Sequence, residues 1–282
     1  MTRSTATTAR RKLHLLAPLL AVGLLVPFGG AASADAHGSH GSHQRPTIVL
    51  VHGDWADGSS WSHVVERLQD RGYDVVAPPN PLRGPTSDAA YVASFLQTVP
   101  GPIVLVGHSY GGFVITNAAR GNPNVKALVY VDAFIPDAGD TLLTLSQGSC
   151  LGGDPTNTFN AVPSAGGVVD LYIRAMPNPA FVGFARCFAN GVPREQTNIL
   201  AATQRPASSS QFTEPSGSPA WKTIPSWSLI GTDDHVITPA QQEFMSTRAG
   251  AHVATVDAGH LSLITAPSAV TRLIVTAARA TS

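Results

Sequence analysis

Three residues of this 282-residue chain could together make a reactive nucleophile: Ser109, Asp234 and His260. A serine hydroxyl attacks weakly at neutral pH unless a base takes its proton, and the base needs a carboxylate to orient it. Ser109 lies in Gly107-His108-Ser109-Tyr110-Gly111-Gly112, directly after the apolar run Pro102-Ile103-Val104-Leu105-Val106. The pattern G-x-S-x-G in that context reads as a strand entering a sharp turn and then a helix, with the serine at the apex in a positive-φ conformation. Glycines two residues either side let strand and helix approach without a side-chain clash. The turn also frees the next amide, that of Tyr110, to face a substrate oxygen.

In this arrangement the partners follow in the order serine, acid, histidine. Trp227-Ser228-Leu229-Ile230-Gly231 reads as a strand ending in Thr232-Asp233-Asp234-His235, and Asp234 is the candidate acid. Ala251 to Val256 reads as a further strand, followed by Asp257-Ala258-Gly259-His260, and His260 is the candidate base. Both sit just past strand C-termini, where open parallel sheets gather their ligands. Asp233 is an alternative acid, and Asp132, after the strand Ala127–Val131, is another. A helix N-terminal charge would equally explain one of the adjacent aspartates. The first strand, Thr47–Val51, runs into His52-Gly53-Asp54-Trp55, which makes the Asp54 amide the candidate second donor for an oxyanion. Such a donor contributes roughly 3–4 kcal/mol to the transition state of serine enzymes.

With these residues in place the chain resembles the α/β-hydrolase fold. It is most similar to a branch of small esterases whose first strand ends in H-G-x-W/F, here His52-Gly53-Asp54-Trp55-Ala56-Asp57-Gly58-Ser59-Ser60-Trp61. Plant methylesterases, hydroxynitrile lyases and bacterial carboxylesterases share this branch. The resemblance runs from about Pro46 to the C-terminus and is weakest in the middle. It implies Ser109 as nucleophile, Asp234 as acid, His260 as base and the amides of Asp54 and Tyr110 as oxyanion donors. Gly231 and Asp234 match the family's Gly-x-x-Asp pattern. Many relatives place a proline four residues after the acid; here Thr238 holds that place and Pro239 follows, which leaves Asp233 open.

Strands and helices must alternate to position these residues. Val64, Val65 and Leu68 mark a helix ended by Gly72, Tyr73–Ala77 the next strand, and Tyr91, Val92, Phe95, Leu96 and Val99 a second helix. Six strands are expected in a mostly parallel sheet with helices on both faces. The alternation stops after Phe134-Ile135-Pro136. Residues 137–222 are expected to form a helical cap inserted between core segments 46–136 and 223–282, with helices over Asp170–Met176, Phe181–Phe188 and Glu195–Gln204. Leu151, Phe159, Leu171, Phe181, Phe184 and Phe188 would make its pocket apolar. Trp55 and Trp61 are candidate substrate contacts, although tryptophans are core residues more often than ligand contacts. His52 is expected to shape the oxyanion loop, and His108 and His235 to be structural neighbours.

The chain opens with Arg3, Arg10, Arg11 and Lys12, then an apolar stretch from Leu13 to Phe28, then Ala32-Ser33-Ala34. This reads as a secretory signal peptide over residues 1–34 with an A-x-A-like cleavage site, and residues 35–45 as a linker. Arg10-Arg11 loosely resembles a twin-arginine signal. Residues 1–34 hold four of the 18 basic residues and none of the 18 acidic ones, so the remainder carries a net charge of −4. That balance offers no footprint for nucleic acid or an anionic membrane. His37, His40 and His43 could bind a metal weakly, but a solvated leader explains them, and no other spacing suggests a metal site or a cofactor. The two cysteines, Cys150 and Cys187, are expected to form a disulfide in an oxidising compartment.

The expected activity is hydrolysis of small-molecule carboxylic esters through an acyl-enzyme. Rivals are a lyase or a perhydrolase/haloperoxidase-like reaction on the same residues, an open polyester hydrolase, and a ligand-binding protein that kept the fold without turnover. Hydroxynitrile lyases in the resembled branch use a site lysine; Lys126 and Lys222, the lysines after the leader, are not beside His260 in sequence. The middle segment argues against an open site. Fold does not name the substrate.

Overall fold

The computed structural model describes residues 44–175 and 183–281. The expected leader, most of the linker, Phe181, Val182 and the His37–His43 repeat lie outside the described residues. Along the chain run β1 (Thr47–Val51), α1 (Ser62–Gln69), β2 (Val75–Val76), α2 (Pro85–Leu96), β3 (Ile103–His108), α3 (Tyr110–Ala118) and β4 (Val125–Val131). An insertion follows with α4 (Leu142–Leu145), α5 (Pro155–Thr158), β5 (Phe159–Pro163), β6 (Val169–Ile173), α6 (Gly183–Arg186), α7 (Arg194–Thr203) and β7 (Ala207–Ser208). The chain then returns through β8 (Ser226–Gly231), α8 (Pro239–Arg248), β9 (His252–Val256), α9 (Ser262–Thr265) and α10 (Pro267–Ala280).

The main sheet has six strands in the order β2-β1-β3-β4-β8-β9. Every adjacent pair in it is parallel. All six residues of β3 are buried, as are six of the seven in β4. A strand covered on both faces needs side chains that pack on either side, hence the β-branched and leucine-rich runs Ile103–Val106 and Ala127–Val131. Helix α10 places Val270, Leu273, Ile274, Ala277 and Ala278 on its buried side, a 3.6-residue spacing that seats it on the core.

The insertion departs from the helical expectation. Asp170 to Ile173 belong to a strand, β6, which pairs antiparallel with β5 from Phe159↔Ile173 to Pro163↔Val169 and with β7 at Leu171↔Ala207. Val169, Leu171 and Ile173 alternate with Asp170 and Tyr172, a period of two that a short apolar run shares with one helical turn. Long-range pairing decides between them. The helix expected from Glu195 to Gln204 forms, as α7. Cys150 and Cys187 are joined in a disulfide with Cα atoms 5.8 Å apart, within the insertion. Among the described residues, no helix is long and apolar enough to cross a membrane.

Candidate active site

Strand β3 delivers Ser109 at its C-terminal end, and α3 begins at the next residue. Ser109 has φ 53° and ψ −125°, the strained turn expected from its flanking glycines. Those glycines are needed sterically. A Cβ on Gly107 would lie 2.6 Å from the Gly111 carbonyl carbon, and one on Gly111 would lie 2.4 Å from the Val51 oxygen. The strand, the helix and the end of β1 therefore touch through bare backbone.

Three loops past strand C-termini bring the candidate residues together. The Ser109 hydroxyl lies 2.9 Å from His260 Nε2, and His260 Nδ1 lies 2.9 Å from Asp234 Oδ2. With Nδ1–H donated to the carboxylate, the Nε2 lone pair faces the serine hydroxyl. Asp234 Oδ1 accepts the amides of Val236 (2.8 Å) and Ile237 (3.0 Å), and Oδ2 also accepts Gln242 Nε2 at 2.8 Å. Burial raises the Asp234 carboxyl above the usual carboxylate range, and these donors oppose the rise. Burial pushes the His260 imidazole down, which keeps it neutral and able to accept a proton. The His260 carbonyl accepts a hydrogen bond from His108 Nε2 at 2.9 Å, so the G-H-S-x-G histidine anchors the His260 backbone. Burial also keeps His108 neutral.

The other candidate acids lie elsewhere. Asp233 faces outward, paired with His235 Nε2 at 3.1 Å and held by Asn190 Nδ2. Asp132 is fully buried with φ 44°. It accepts the Gly231 amide (2.9 Å), the Ser262 amide (3.2 Å) and a hydrogen bond from the Ser262 hydroxyl. It thus ties the loop bearing Asp234 to the loop bearing His260.

The loop after β1 closes over the serine. A Cβ on Gly53 would lie 2.6 Å from Ser109 Cβ, so the Gly53 backbone sits against Ser109. His52 shapes this loop from within: its Nδ1–H donates to Gly53 O at 2.9 Å and its Nε2 accepts the Asn80 amide at 2.9 Å. Burial lowers the His52 pKa to about 4, so the ring stays neutral in these bonds. Tyr110 is the first residue of α3, so its amide has no intrahelical partner. Its hydroxyl donates to buried Asp88 at 2.8 Å. The Asp54 carboxyl is buried, with Oδ1 unpartnered, and burial pushes it up to about 7.

Of the candidate pocket residues, Trp61 is fully buried with its ring edge-on to His108 at 6.2 Å. Trp55 is stacked on Phe159 and edge-on to Phe188, each at 5.8 Å, and Phe188 lies 5.4 Å from the His260 ring. Phe159, Phe184 and Phe188 are buried, and Leu151 and Leu171 partly so. Sequence reasoning did not single out Gln242, Asn190 or Ser262. Their types are ordinary, and only folding brings them to the loops bearing Asp234 and His260. Among the described residues, no group of three or more His, Cys, Asp or Glu is placed to hold a metal ion.

The alpha/beta hydrolase family profile matches residues 48–273, most of the chain. The chain belongs to the alpha/beta hydrolase family. Among curated relatives, a carbendazim hydrolyzing esterase of Nocardioides sp. (strain SG-4G) is 36% identical over 111 residues, 35% of this chain and 46% of the relative. The chain thus spans under half the length of that relative. Among solved structures, a pyrethroid hydrolase from Sphingobium faniae JZ-2 superposes with a TM-score of 0.65 at 23% identity, covering 83% of this chain and 98% of that one. An extracellular alpha/beta-hydrolase from a Paenibacillus species gives 0.64 at 21% identity, covering 82% and 98%. At these identities the two structures speak for the fold.

Proposed function

We propose that this protein is a serine hydrolase acting on carboxylic esters, with Ser109 as nucleophile, His260 as general base and Asp234 as the orienting acid. The observation that carries this reading is the unbroken hydrogen-bond chain from the Ser109 hydroxyl through both His260 nitrogens to Asp234. Ser109 Oγ attacks the acyl carbon as its proton passes to His260 Nε2. The Asp234 carboxylate stabilises the imidazolium, and the amides of Asp54 and Tyr110 donate to the tetrahedral oxyanion. His260 then gives its proton to the departing alcohol oxygen, and a water activated by the same imidazole hydrolyses the acyl-enzyme.

Phe188, whose ring lies against His260, favours an ester with a bulky apolar or aromatic part, in keeping with the activities after which the carbendazim and pyrethroid hydrolases are named. Among the described residues, the lysines are Lys222, paired with Asp137, and Lys126, bonded to the Pro123 carbonyl, and neither is engaged with His260, which disfavours the lyase alternative. The leader-like residues 1–34 and the Cys150–Cys187 disulfide support export from the cell. A fluorophosphonate probe with peptide mapping tests the chemistry. A single adduct on Ser109, with p-nitrophenyl ester turnover abolished in Ser109→Ala, is expected. A folded protein that takes no adduct would put the ligand-binding alternative in its place.

A further inference from the structure

Trp55 follows the oxyanion-donor candidate Asp54 directly and has φ 56°, a left-handed conformation that a bulky side chain adopts only when its surroundings hold it there. The indole is gripped from the insertion. Its Nε1–H donates to the Leu171 carbonyl of β6 at 2.9 Å, across 116 positions of sequence. Its face stacks on Phe159 of β5, with ring planes 18° apart, and Phe188 meets it at 85°. Phe188 in turn rests on His260. One insertion residue therefore touches both the oxyanion loop and the base. Ser109 is 3% exposed and His260 0%, so both lie covered within the fold.

We propose that Trp55 is a positioning residue for the oxyanion hole: the Asp54 amide is aimed at the reacting carbonyl because the insertion grips the neighbouring indole. This rests on the ester-hydrolase reading above and deepens it. Without that grip the strained Trp55 backbone relaxes and takes the adjacent Asp54 peptide with it. An oxyanion donor acts mainly in the transition state, so the effect falls on the chemical step and leaves ground-state binding nearly unchanged.

The decisive variant is Trp55→Phe, which keeps an aromatic ring and deletes the N–H. Its kcat on an aryl ester is expected to fall by about tenfold or more, part of the 10²–10³ that complete loss of one oxyanion donor costs, with KM changed less than about threefold. Affinity for a trifluoromethyl ketone, which forms a tetrahedral adduct with the serine, should fall by the same factor. Ester binding to Ser109→Ala should be equal with and without Trp55→Phe. Phe159→Leu, which removes the stacked face from the insertion side, should move kcat and ketone affinity in the same direction and decides the matter if Trp55→Phe does not fold. A rise in KM with kcat and ketone affinity unchanged would make Trp55 a pocket wall and overturn the proposal. Wild-type protein that neither binds the ketone nor takes a fluorophosphonate would instead refute the hydrolase reading itself.

Discussion

Replacing both Cys150 and Cys187 by alanine removes a cross-link between positions 37 residues apart. The chain-entropy relation for a loop of that size gives about 4 kcal/mol of stabilisation through the unfolded state. For a domain of this length each kcal/mol shifts the midpoint by about 2–4 °C, so a drop of roughly 8–16 °C is expected. The cross-link also has a local job. Cys187 is fully buried between Phe184 and Phe188, and the Cys150 amide donates to the His235 carbonyl at 2.8 Å, beside Asp234. Loosening it frees Phe188 from His260 and Trp55, so kcat should fall along with stability. Calorimetry and urea denaturation of the wild type, the double variant and thiol-reduced wild type provide the test. The last two should coincide. A loss under about 1 kcal/mol would show that the bridge does not constrain the unfolded chain and would refute the reasoning. A separate low-temperature transition would place its effect in the insertion alone.

Other outcomes follow from the buried groups. Because burial lowers the His260 pKa below 6.5, the neutral base persists to lower pH, and the acid limb of kcat/KM should have its midpoint below 6.5. Asp54, raised to about 7, is neutral below that pH and becomes an anion above it, in the residue whose amide is the proposed oxyanion donor. Activity should therefore decline as pH rises through about 7, and a pH profile of Asp54→Asn should lack that limb; an unchanged profile would exonerate Asp54. Asp132→Ala leaves the Gly231 and Ser262 amides without their acceptor and should cost about 3 kcal/mol in urea unfolding, with Asp132→Asn costing less. Gly111→Ala drives a Cβ to 2.4 Å from the Val51 oxygen and should destabilise by about 3 kcal/mol while lowering esterase activity; a neutral result would mean that α3 moves freely against β1.

Much of this molecule is local enough to be written along the chain. The nucleophile turn is readable because its strain demands glycines at fixed offsets, and Gly107 and Gly111 stand where the backbones of β3, α3 and β1 meet. The six core strands are readable because each is a short run bounded by turn residues, and Ser109, Asp234 and His260 each follow the end of one. What a sequence does not carry is the meeting of distant segments. Asp132, Asp233 and Asp234 all follow strand ends, and only the packing of three loops turns Asp234 toward His260, Asp233 outward, and Asp132 into a tie between loops. Residues 169–173 suit one helical turn or a strand equally well, and pairing with residues 159–163 and 207–208 makes them a strand. That strand presents the Leu171 carbonyl to Trp55, a contact no spacing rule foresees. Short-range sterics fixed the Ser109 turn in advance; the pairing of Asp234 with His260 and the roof over them depended on contacts whose free energy exists only once the chain has closed on itself.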